Sequence, residues 1–297
     1  MLPLAVGAAE PVDIIIERVH GGLPPGAQWL HDWLGQDEVV LSLARHDGHL
    51  WLDFPDLAAF ELQFPAGRIG VHCSPSADEN TLEHLLVDQV LPRYVAHLDT
   101  LVAHASAIAI HGRHALFLGQ SGWGKSTLAA LLLRSGHGVL SDDCVQLFEE
   151  GNQLLALSTY PSLRLLPDSL DELFPGMENA SPMADYSDKL RVPVTPPQGD
   201  CVATAIDALY VLADPELAQG AIHITPLPPG EACRALIEHS FRLDLNDRLG
   251  NASHFARCSA VARAVPAFEI QFPRDYAQGP ELARKIAHHL SSLSLDR

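Results

Sequence analysis

The segment from Leu116 to Val145, LFLGQSGWGKSTLAALLLRSGHGVLSDDCV, constrains this chain more than any other stretch. The apolar run Ala115–Leu118 predicts a buried parallel strand, and a helix is predicted from Ser126 to Arg134. Between them, residues 119–126 read G-x-x-x-x-G-K-S, the pattern of a phosphate-binding loop. A strand before the loop and a helix after it are the structural context that this pattern requires. The chain is therefore predicted to bind a nucleoside triphosphate.

Each part of this loop has a chemical task. Glycines let the backbone point several N–H groups at phosphate oxygens, and the helix adds its positive amino-terminal end. Lys125 is placed to reach the β- and γ-phosphates, and the Ser126 hydroxyl is placed to bind Mg²⁺. Trp123 is expected either to cover the nucleotide or contact an acceptor peptide, or to pack against the long loop predicted over residues 175–199. The predicted cofactors are ATP and Mg²⁺, held by Gly119, Gln120, Ser121, Gly122, Trp123, Gly124, Lys125, Ser126 and Thr127.

Composition excludes several classes of partner. The 297 residues carry a formal net charge of −18, which argues against nucleic acid or an anionic membrane as the main partner. No apolar run has the length of a membrane span, and the start MLPLAVGAAE lacks the features of a secretory signal. The five cysteines are scattered without metal-site spacing. They predict reduced thiols and a cytoplasmic protein.

The hydrophobic pattern divides the chain into two parts. Up to residue 72 it predicts short antiparallel strands, and between Asp78 and Leu98 it predicts a helix that Pro92 kinks or ends. Strands and helices then alternate, and residues 175–199 predict a long mobile loop. We therefore expect an α/β protein. Residues 1–100 would form a small β-rich domain with a linking helix, and residues 101–297 a P-loop kinase domain.

Asp142 and Asp143 follow the next predicted strand, 139–141, at the sheet edge where α/β proteins bind ligands. Transfer of a phosphoryl group to an alcohol needs a carboxylate to take the hydroxyl proton and oxygen ligands for Mg²⁺. The two side chains can supply these functions; the alternative is a pair that only caps a turn. His104, in an apolar strand, is either a partner of an aspartate or a core histidine.

These residues carry a resemblance to the HPr kinase/phosphorylase family of bacterial serine kinases. The family has a histidine fifteen residues before the first loop glycine, as His104 stands to Gly119. It then has G-x-S-G-x-G-K-S and a G-H-x-x-x-x-D-D segment, which ends here at Asp142-Asp143. The resemblance implies a P-loop kinase domain of HPr kinase type. In it, Asp142 would be the catalytic base, His104 would interact with Asp142, Lys125 would be catalytic, and Asp143 would assist at the metal with Ser126.

The resemblance weakens after residue 160. Where the family has E-I-R-G-x-G, this chain has Ser162 in place of the metal-binding glutamate, and the arginine is retained as Arg164. The segment S-L-R-L-x-P-D at residues 162–168 is more similar to a branch that phosphorylates the terminal serine of lasso precursor peptides. Lys189 and Arg191 are either contacts for the transferring phosphate or solvated cations.

The leading hypothesis is an ATP- and Mg²⁺-dependent kinase for a serine hydroxyl on a peptide or small protein. Two alternatives remain: a kinase for a small metabolite, which a narrow pocket formed with the amino-terminal domain would favour, and a nucleotide-sensing module without transfer. The sequence leaves open a homo-oligomer, the acceptor and the occurrence of phosphorolysis.

Overall fold

A computed structural model describes residues 13–35, 37–151, 153–158, 162–195, 197, 202–218 and 220–293. The start of the chain, for which the sequence predicts no secretory signal, and Cys201 lie outside the described residues. The described part is a mixed α/β structure with several sheets, as expected.

The amino-terminal part forms a six-stranded sheet. In chain order, its strands β1 to β6 are Ile15–Arg18, Gln28–Gly35, Glu38–His46, His49–Phe54, Ala58–Gln63 and Arg68–Cys73. They lie in the order β1-β6-β5-β4-β3-β2, and all neighbours are antiparallel except β1 and β6. Asp47 and Gly48 join β3 to β4 with φ of 45° and 81°, which a two-residue type I′ turn requires. The prediction of short antiparallel strands up to residue 72 is confirmed except for β1, which pairs in parallel with β6.

A continuous helical segment follows this sheet. It consists of α1 (Glu79–His84), a π-helical turn (Leu85–Val90) and α2 (Leu91–His97). Pro92 has no N–H to donate, and its ring would clash with the carbonyl four residues earlier, which belongs to Asp88. The wider π turn accommodates this conflict. Pro92 therefore changes the geometry of the helix without ending it, and Asp88 lies in the altered turn.

The remaining elements alternate strands and helices. The strands β7 to β19 are Leu101–Ala103, Ala105–Ile110, Arg113–Leu118, Gly138–Ser141, Val145–Glu150, Gln153–Ser158, Ser162–Leu165, Ser181–Ala184, Ser187–Pro193, Ala203–Ala205, Ala208–Leu212, His223–Leu227 and Ala267–Gln271. The helices α3 to α7 are Lys125–Arg134, Pro167–Leu173, Pro229–Glu238, Arg248–Ala264 and Gly279–Ser292. None of the described helices is both long and apolar enough to cross a bilayer.

The central sheet has the order β10-β8-β9-β17-β19-β18. Strands β9, β17 and β19 are parallel neighbours, whereas β8 is antiparallel to both β9 and β10. Because β8 lies between them, β9 and β10 run in the same direction without touching. The carboxyl ends of β9 and β10 therefore meet the amino-terminal start of β8 at one sheet edge.

The chain changes sheets twice at this edge. The single strand predicted over residues 102–110 is two strands, because β7 pairs with β11 in a second sheet of order β16-β12-β11-β7. His104 lies at the break between β7 and β8. Asp142 and Asp143 lie at the second crossing, between β10 and β11. These changes of sheet direct the polar side chains into one place.

The central sheet is buried on both faces, as apolar strands such as β9 predict. One face packs against α3, α4 and α7. The other face packs against the second sheet and against α5 and α6. The core of the amino-terminal sheet includes Leu243 from the carboxyl-terminal part, and the division at residue 100 stays a prediction.

The prediction of a mobile loop over residues 175–199 is wrong for the central part of that segment. Strands β14 and β15 form a hairpin there, and β15 also pairs with β13. Buried Met183, Ala184 and Val192 hold the hairpin to the core, and the backbone N–H of Asp185 donates to the Thr81 hydroxyl of α1 at 3.0 Å. The sequence predicted a loop because the segment is polar in composition and few of its positions are buried. Residues 196, 198 and 199 lie outside the described range.

The amino-terminal sheet offers a matched test of its core. Leu43 in β3 is fully buried, whereas Leu34 in β2 is 67% exposed. We expect Leu43→Ala to lower the free energy of unfolding by about 2–5 kcal/mol, through lost burial and a residual cavity. Leu34→Ala should change it by about 0.5 kcal/mol or less. Urea denaturation measures both, and equal losses would contradict the placement of β2 and β3.

Candidate active site

The loop between β9 and α3 has the backbone of a phosphate-binding loop. Gly122 and Gly124 have φ of 82° and 96°, a left-handed conformation that glycine adopts without strain. A Cβ on Gly119 would lie 3.0 Å from the Cβ of Leu212 in β17. Gly122 and Gly124 therefore suit the turn, and Gly119 allows close contact with the neighbouring strand.

Lys125 begins α3 and is buried beneath the loop. Its Nζ donates to the carbonyl oxygens of Gly119 at 2.7 Å and Gln120 at 3.2 Å. Burial lowers the pKa of Lys125, and the carboxylates of Asp143 and Asp142 oppose this shift. The ammonium group therefore lies between the loop and the acidic pair.

The other loop residues surround this position. Gln120 and Ser121 are exposed, whereas Ser126 and Thr127 lie partly buried in the first turn of α3. The backbone N–H of Trp123 donates to the Gln120 carbonyl oxygen at 3.1 Å. Its ring packs against the core that contains α3. This packing is observed, and a contact of Trp123 with a nucleotide or an acceptor stays a prediction.

Asp142 is completely buried at the end of β10. The Ser106 hydroxyl, from the start of β8, donates to its Oδ1 at 2.5 Å. Among the described residues, Oδ2 has no hydrogen-bond partner of standard geometry. Burial and then the Asp143 carboxylate raise the pKa of Asp142, although Arg164 and the hydroxyls of Ser106 and Ser126 oppose the rise. The result is a carboxylate with raised basicity and one free oxygen.

Asp143 has a different environment, and its φ of 70° turns it away from β10. Its Oδ1 lies 3.5 Å from His104 Nδ1, and its Oδ2 lies 3.1 Å from Arg164 Nε. Burial alone would raise the pKa of Asp143, but His104, Arg164 and two lysines, Lys189 and Lys125, lower it to about 2. Asp143 is therefore firmly ionised at neutral pH.

His104 contacts Asp143 and not Asp142. Its Nδ1 lies 3.1 Å from the Asp143 carbonyl oxygen, and its backbone N–H donates to the His239 carbonyl at 2.6 Å. Burial lowers the pKa of His104, with Asp143 opposing the shift, so the imidazole is neutral at neutral pH. The contact with Asp142 that the resemblance implies is made instead by Ser106, which sequence reasoning missed. Its position two residues after His104, on the same face of the chain, was the available signal.

Arg164 joins the acidic pair to the amino-terminal part. From β13, its NH1 donates to the Asp142 carbonyl at 2.9 Å and its NH2 pairs with Asp88. Its Nε also lies 3.2 Å from Asp88 Oδ2, which contacts His84 Nδ1 at 2.7 Å. Although burial alone lowers it, the carboxylates of Asp143, Asp88 and Asp142 raise the pKa of Arg164 above its usual value. The guanidinium is a permanent buried cation.

The β14–β15 hairpin brings one further cation to this region. Lys189 is close enough to lower the pKa of Asp143, as described above. Arg191 instead pairs with Glu83 of α1, at 2.7 Å. Arg191 therefore holds the hairpin to the helix, and only Lys189 of the two faces the acidic pair.

The oxygen donors fit Mg²⁺ bound together with a nucleotide. The described residues contain no group of three or more His, Cys, Asp or Glu side chains that could hold a metal by themselves. Mg²⁺ needs no such group beside a nucleotide, because it takes one or two carboxylates and completes its shell with phosphates and water. The Ser126 hydroxyl, which lies close enough to Asp142 to act on its pKa, is an oxygen donor of the required kind. Asp143 adds an ionised carboxylate.

A cavity of about 520 Å³ lies beside the phosphate loop. Gln120, Ser121 and His104 form the wall nearest the loop. Trp33 of β2 and Arg93 of α2 contribute from the amino-terminal part, and residues 237–242 with Leu245 complete the lining. The cavity thus joins the amino-terminal sheet to the candidate active site.

Comparisons with known proteins do not assign an activity to this chain. No protein-family model matches the chain, and no curated protein matches it. One similar solved structure is the HPr(Ser) kinase/phosphatase from Coxiella burnetii, at 15% identity and a TM-score of 0.35. The similarity covers 64% of this chain and 99% of that one. At this distance, no residue role transfers between the two chains.

Two ion pairs of the helical segment allow a matched test of the Arg164 contacts. Asp88→Ala removes a carboxylate from the buried Arg164, and we expect it to lower the free energy of unfolding by about 3–5 kcal/mol. Glu79→Ala removes the partner of Arg18 in an exposed pair, which solvent screens, and should leave the free energy of unfolding nearly unchanged. Chemical denaturation measures both variants. Equal small losses would show that Arg164 does not depend on Asp88.

Proposed function

We propose that this chain is an ATP- and Mg²⁺-dependent phosphotransferase that phosphorylates a serine hydroxyl of a peptide or small protein. The observation that carries the proposal is the meeting of a phosphate-binding loop with a basic, partly unpartnered carboxylate at one sheet edge. A module that only binds nucleotide needs the loop, but it does not need that carboxylate. A protein that uses ATP in this way would work in the cytoplasm.

The phosphate loop would hold the triphosphate. The backbone N–H groups of residues 119–124 and the amino-terminal end of α3 provide donors for phosphate oxygens. Lys125 would exchange its contacts with loop carbonyls for the β- and γ-phosphates. Ser126 and Asp143 would hold Mg²⁺, which would neutralise charge on the phosphates.

The two aspartates would divide the remaining work. Asp142 would take the acceptor proton, because its raised pKa and free Oδ2 suit a base. Asp143, ionised and fixed by His104 and Arg164, would supply negative charge at the metal side. His104 would act through Asp143, holding the turn that positions Asp142.

A small-metabolite kinase is the second candidate. The cavity beside the loop is formed with Trp33 and Arg93 of the amino-terminal part, and about 520 Å³ accommodates a small molecule or a few peptide residues. Both candidates use the same phosphate loop and the same base. They differ only in the size of the acceptor.

The proposal is tested by mass spectrometry of acceptors incubated with the full chain, ATP and Mg²⁺. The panel contains serine peptides, small phosphocarrier proteins and hydroxyl metabolites. We expect Asp142→Asn to lower acceptor phosphorylation by about 10²–10⁴-fold, because the base is lost. Binding of a fluorescent ATP analogue should persist. Asp171→Asn, an exposed substitution in α4, is the control. Unchanged phosphorylation in Asp142→Asn would remove Asp142 from its role.

The pH dependence of transfer provides a separate prediction. Asp142 must be ionised to accept a proton, and its pKa is raised by burial. The rate should therefore fall on acidification at a pH above the usual aspartate range. Ser106 donates to the ionised carboxylate of Asp142. Ser106→Ala should therefore raise the pKa of Asp142 further and move the acid limb of the pH–rate profile to higher pH. A limb that stays in place, or that moves to lower pH, would contradict the assignment.

A further inference from the structure

The cavity beside the phosphate loop contains a cation without a counter-ion. Within the part of the chain that the structure describes, no carboxylate forms an ion pair with Arg93. Its NH1 donates to the carbonyl and side-chain oxygens of Gln89, at 2.9 and 3.0 Å, and its Nε is buried without a partner. Burial lowers the pKa of Arg93 to about 10, so it remains charged at neutral pH. A half-buried charge without an ionic partner, one of whose N–H groups is shielded from water, is unfavourable unless a ligand supplies the partner.

Aromatic rings fix this guanidinium in place. Its central carbon lies 5.3 Å from the centre of the Trp33 ring and 5.4 Å from that of Phe241, within the range of cation–π contacts. Both rings also line the cavity. Held on two sides by rings, Arg93 keeps its planar donors in a defined orientation. Such an orientation suits an oxyanion, the ionic partner that a guanidinium favours.

The other charged groups of the cavity are already engaged. Glu238 pairs with Arg234 at 2.8 Å. Arg242 donates to Asn251 Oδ1 at 2.5 Å, and although burial lowers its pKa, the carboxylates of Asp247 and Asp244 lie close enough to oppose the shift, whereas no carboxylate acts on Arg93 in this way. Burial, with Lys125 and His104, lowers the pKa of His239 to about 4, which leaves it neutral at neutral pH. Arg93 is therefore the charge that a ligand in this cavity would meet without competition. In a chain of net charge −18, an anion needs such a local cation to bind.

The cavity lies at the terminal-phosphate end of the loop. Lys125, which reaches β- and γ-phosphates in such loops, contacts the carbonyl oxygens of Gly119 and Gln120. Gln120, Ser121 and His104 also line the cavity. A molecule in the cavity would therefore lie beside these loop residues, next to the phosphate that the proposed function transfers. The base of the nucleotide lies at the opposite end of the triphosphate.

We propose that this cavity is the acceptor subsite and that Arg93 binds a carboxylate carried by the hydroxyl-bearing acceptor. The inference rests on the proposed function, and it deepens it by naming the acceptor class: an alcohol with a carboxylate close to its hydroxyl. The carboxylate belongs either to a small hydroxy acid or to an acidic residue next to a serine in a peptide. Arg93 acts as a specificity-determining residue, and Trp33 and Phe241 hold it in place.

Calorimetric titration of the full chain tests the proposal, with Mg²⁺ and a non-hydrolysable ATP analogue at saturation. The first probe pair is N-acetyl-L-serine and its amide. The second is a capped tetrapeptide in which the serine is followed by aspartate or by asparagine. We expect the acid of at least one pair to bind about tenfold more tightly than its neutral partner. The pair that shows the preference identifies the source of the carboxylate.

Variants assign the preference to Arg93. Arg93→Gln should abolish it, Arg93→Lys should keep part of it, and Arg284→Gln, an exposed substitution in α7, should leave it unchanged. Equal affinity within both pairs, including no measurable binding, would overturn the proposal, as would a preference that survives in Arg93→Gln. Failure of the proposed function would look different: the ATP analogue would not bind, or Asp142→Asn would transfer phosphate normally.

Discussion

The buried guanidinium of Arg164 is the interaction on which the rest of the site depends. It contacts Asp88 in the π-helical turn, the carbonyl of Asp142 and the carboxylate of Asp143. Three segments far apart in the chain are thereby held at one sheet edge. Buried ion pairs add little net stability, but the loss of one partner leaves an uncompensated charge. The network therefore fixes where the acidic pair lies more than it strengthens the fold.

Arg164 also makes the two aspartates unequal. Neighbouring carboxylates raise each other's pKa, and a different environment for each one decides which stays ionised. Asp143 has His104, Arg164 and two lysines nearby. Asp142 is buried, with Ser106 donating to its Oδ1 and, among the described residues, no hydrogen bond of standard geometry to its Oδ2. One carboxylate is suited to a permanent charge and the other to accepting a proton. The two side chains have different environments because the chain passes from one sheet to the other between β10 and β11.

The phosphate loop was predictable because its requirements are local. Two glycines with positive φ, a lysine and a helix start are adjacent in sequence, and the buried strand before them is a simple apolar run. The contacts around the acidic pair are not local. Ser106 meets Asp142 only because β8 lies between β9 and β10, and Asp88 reaches Arg164 only because Pro92 imposes a π turn. The β14–β15 hairpin was missed because few of its residues are buried. No periodicity in the sequence encodes such pairings.

The most direct test of this account is a carbon-13 NMR titration of the aspartate side chains. The protein is labelled at aspartate, and the signals are assigned with Asp142→Asn and Asp143→Asn. The account predicts that Asp143 stays ionised over the whole pH range in which the protein is folded. It also predicts that Asp142 takes up a proton at a pH above the usual aspartate value. Equal, ordinary titration of both residues, or the reverse order, would contradict it.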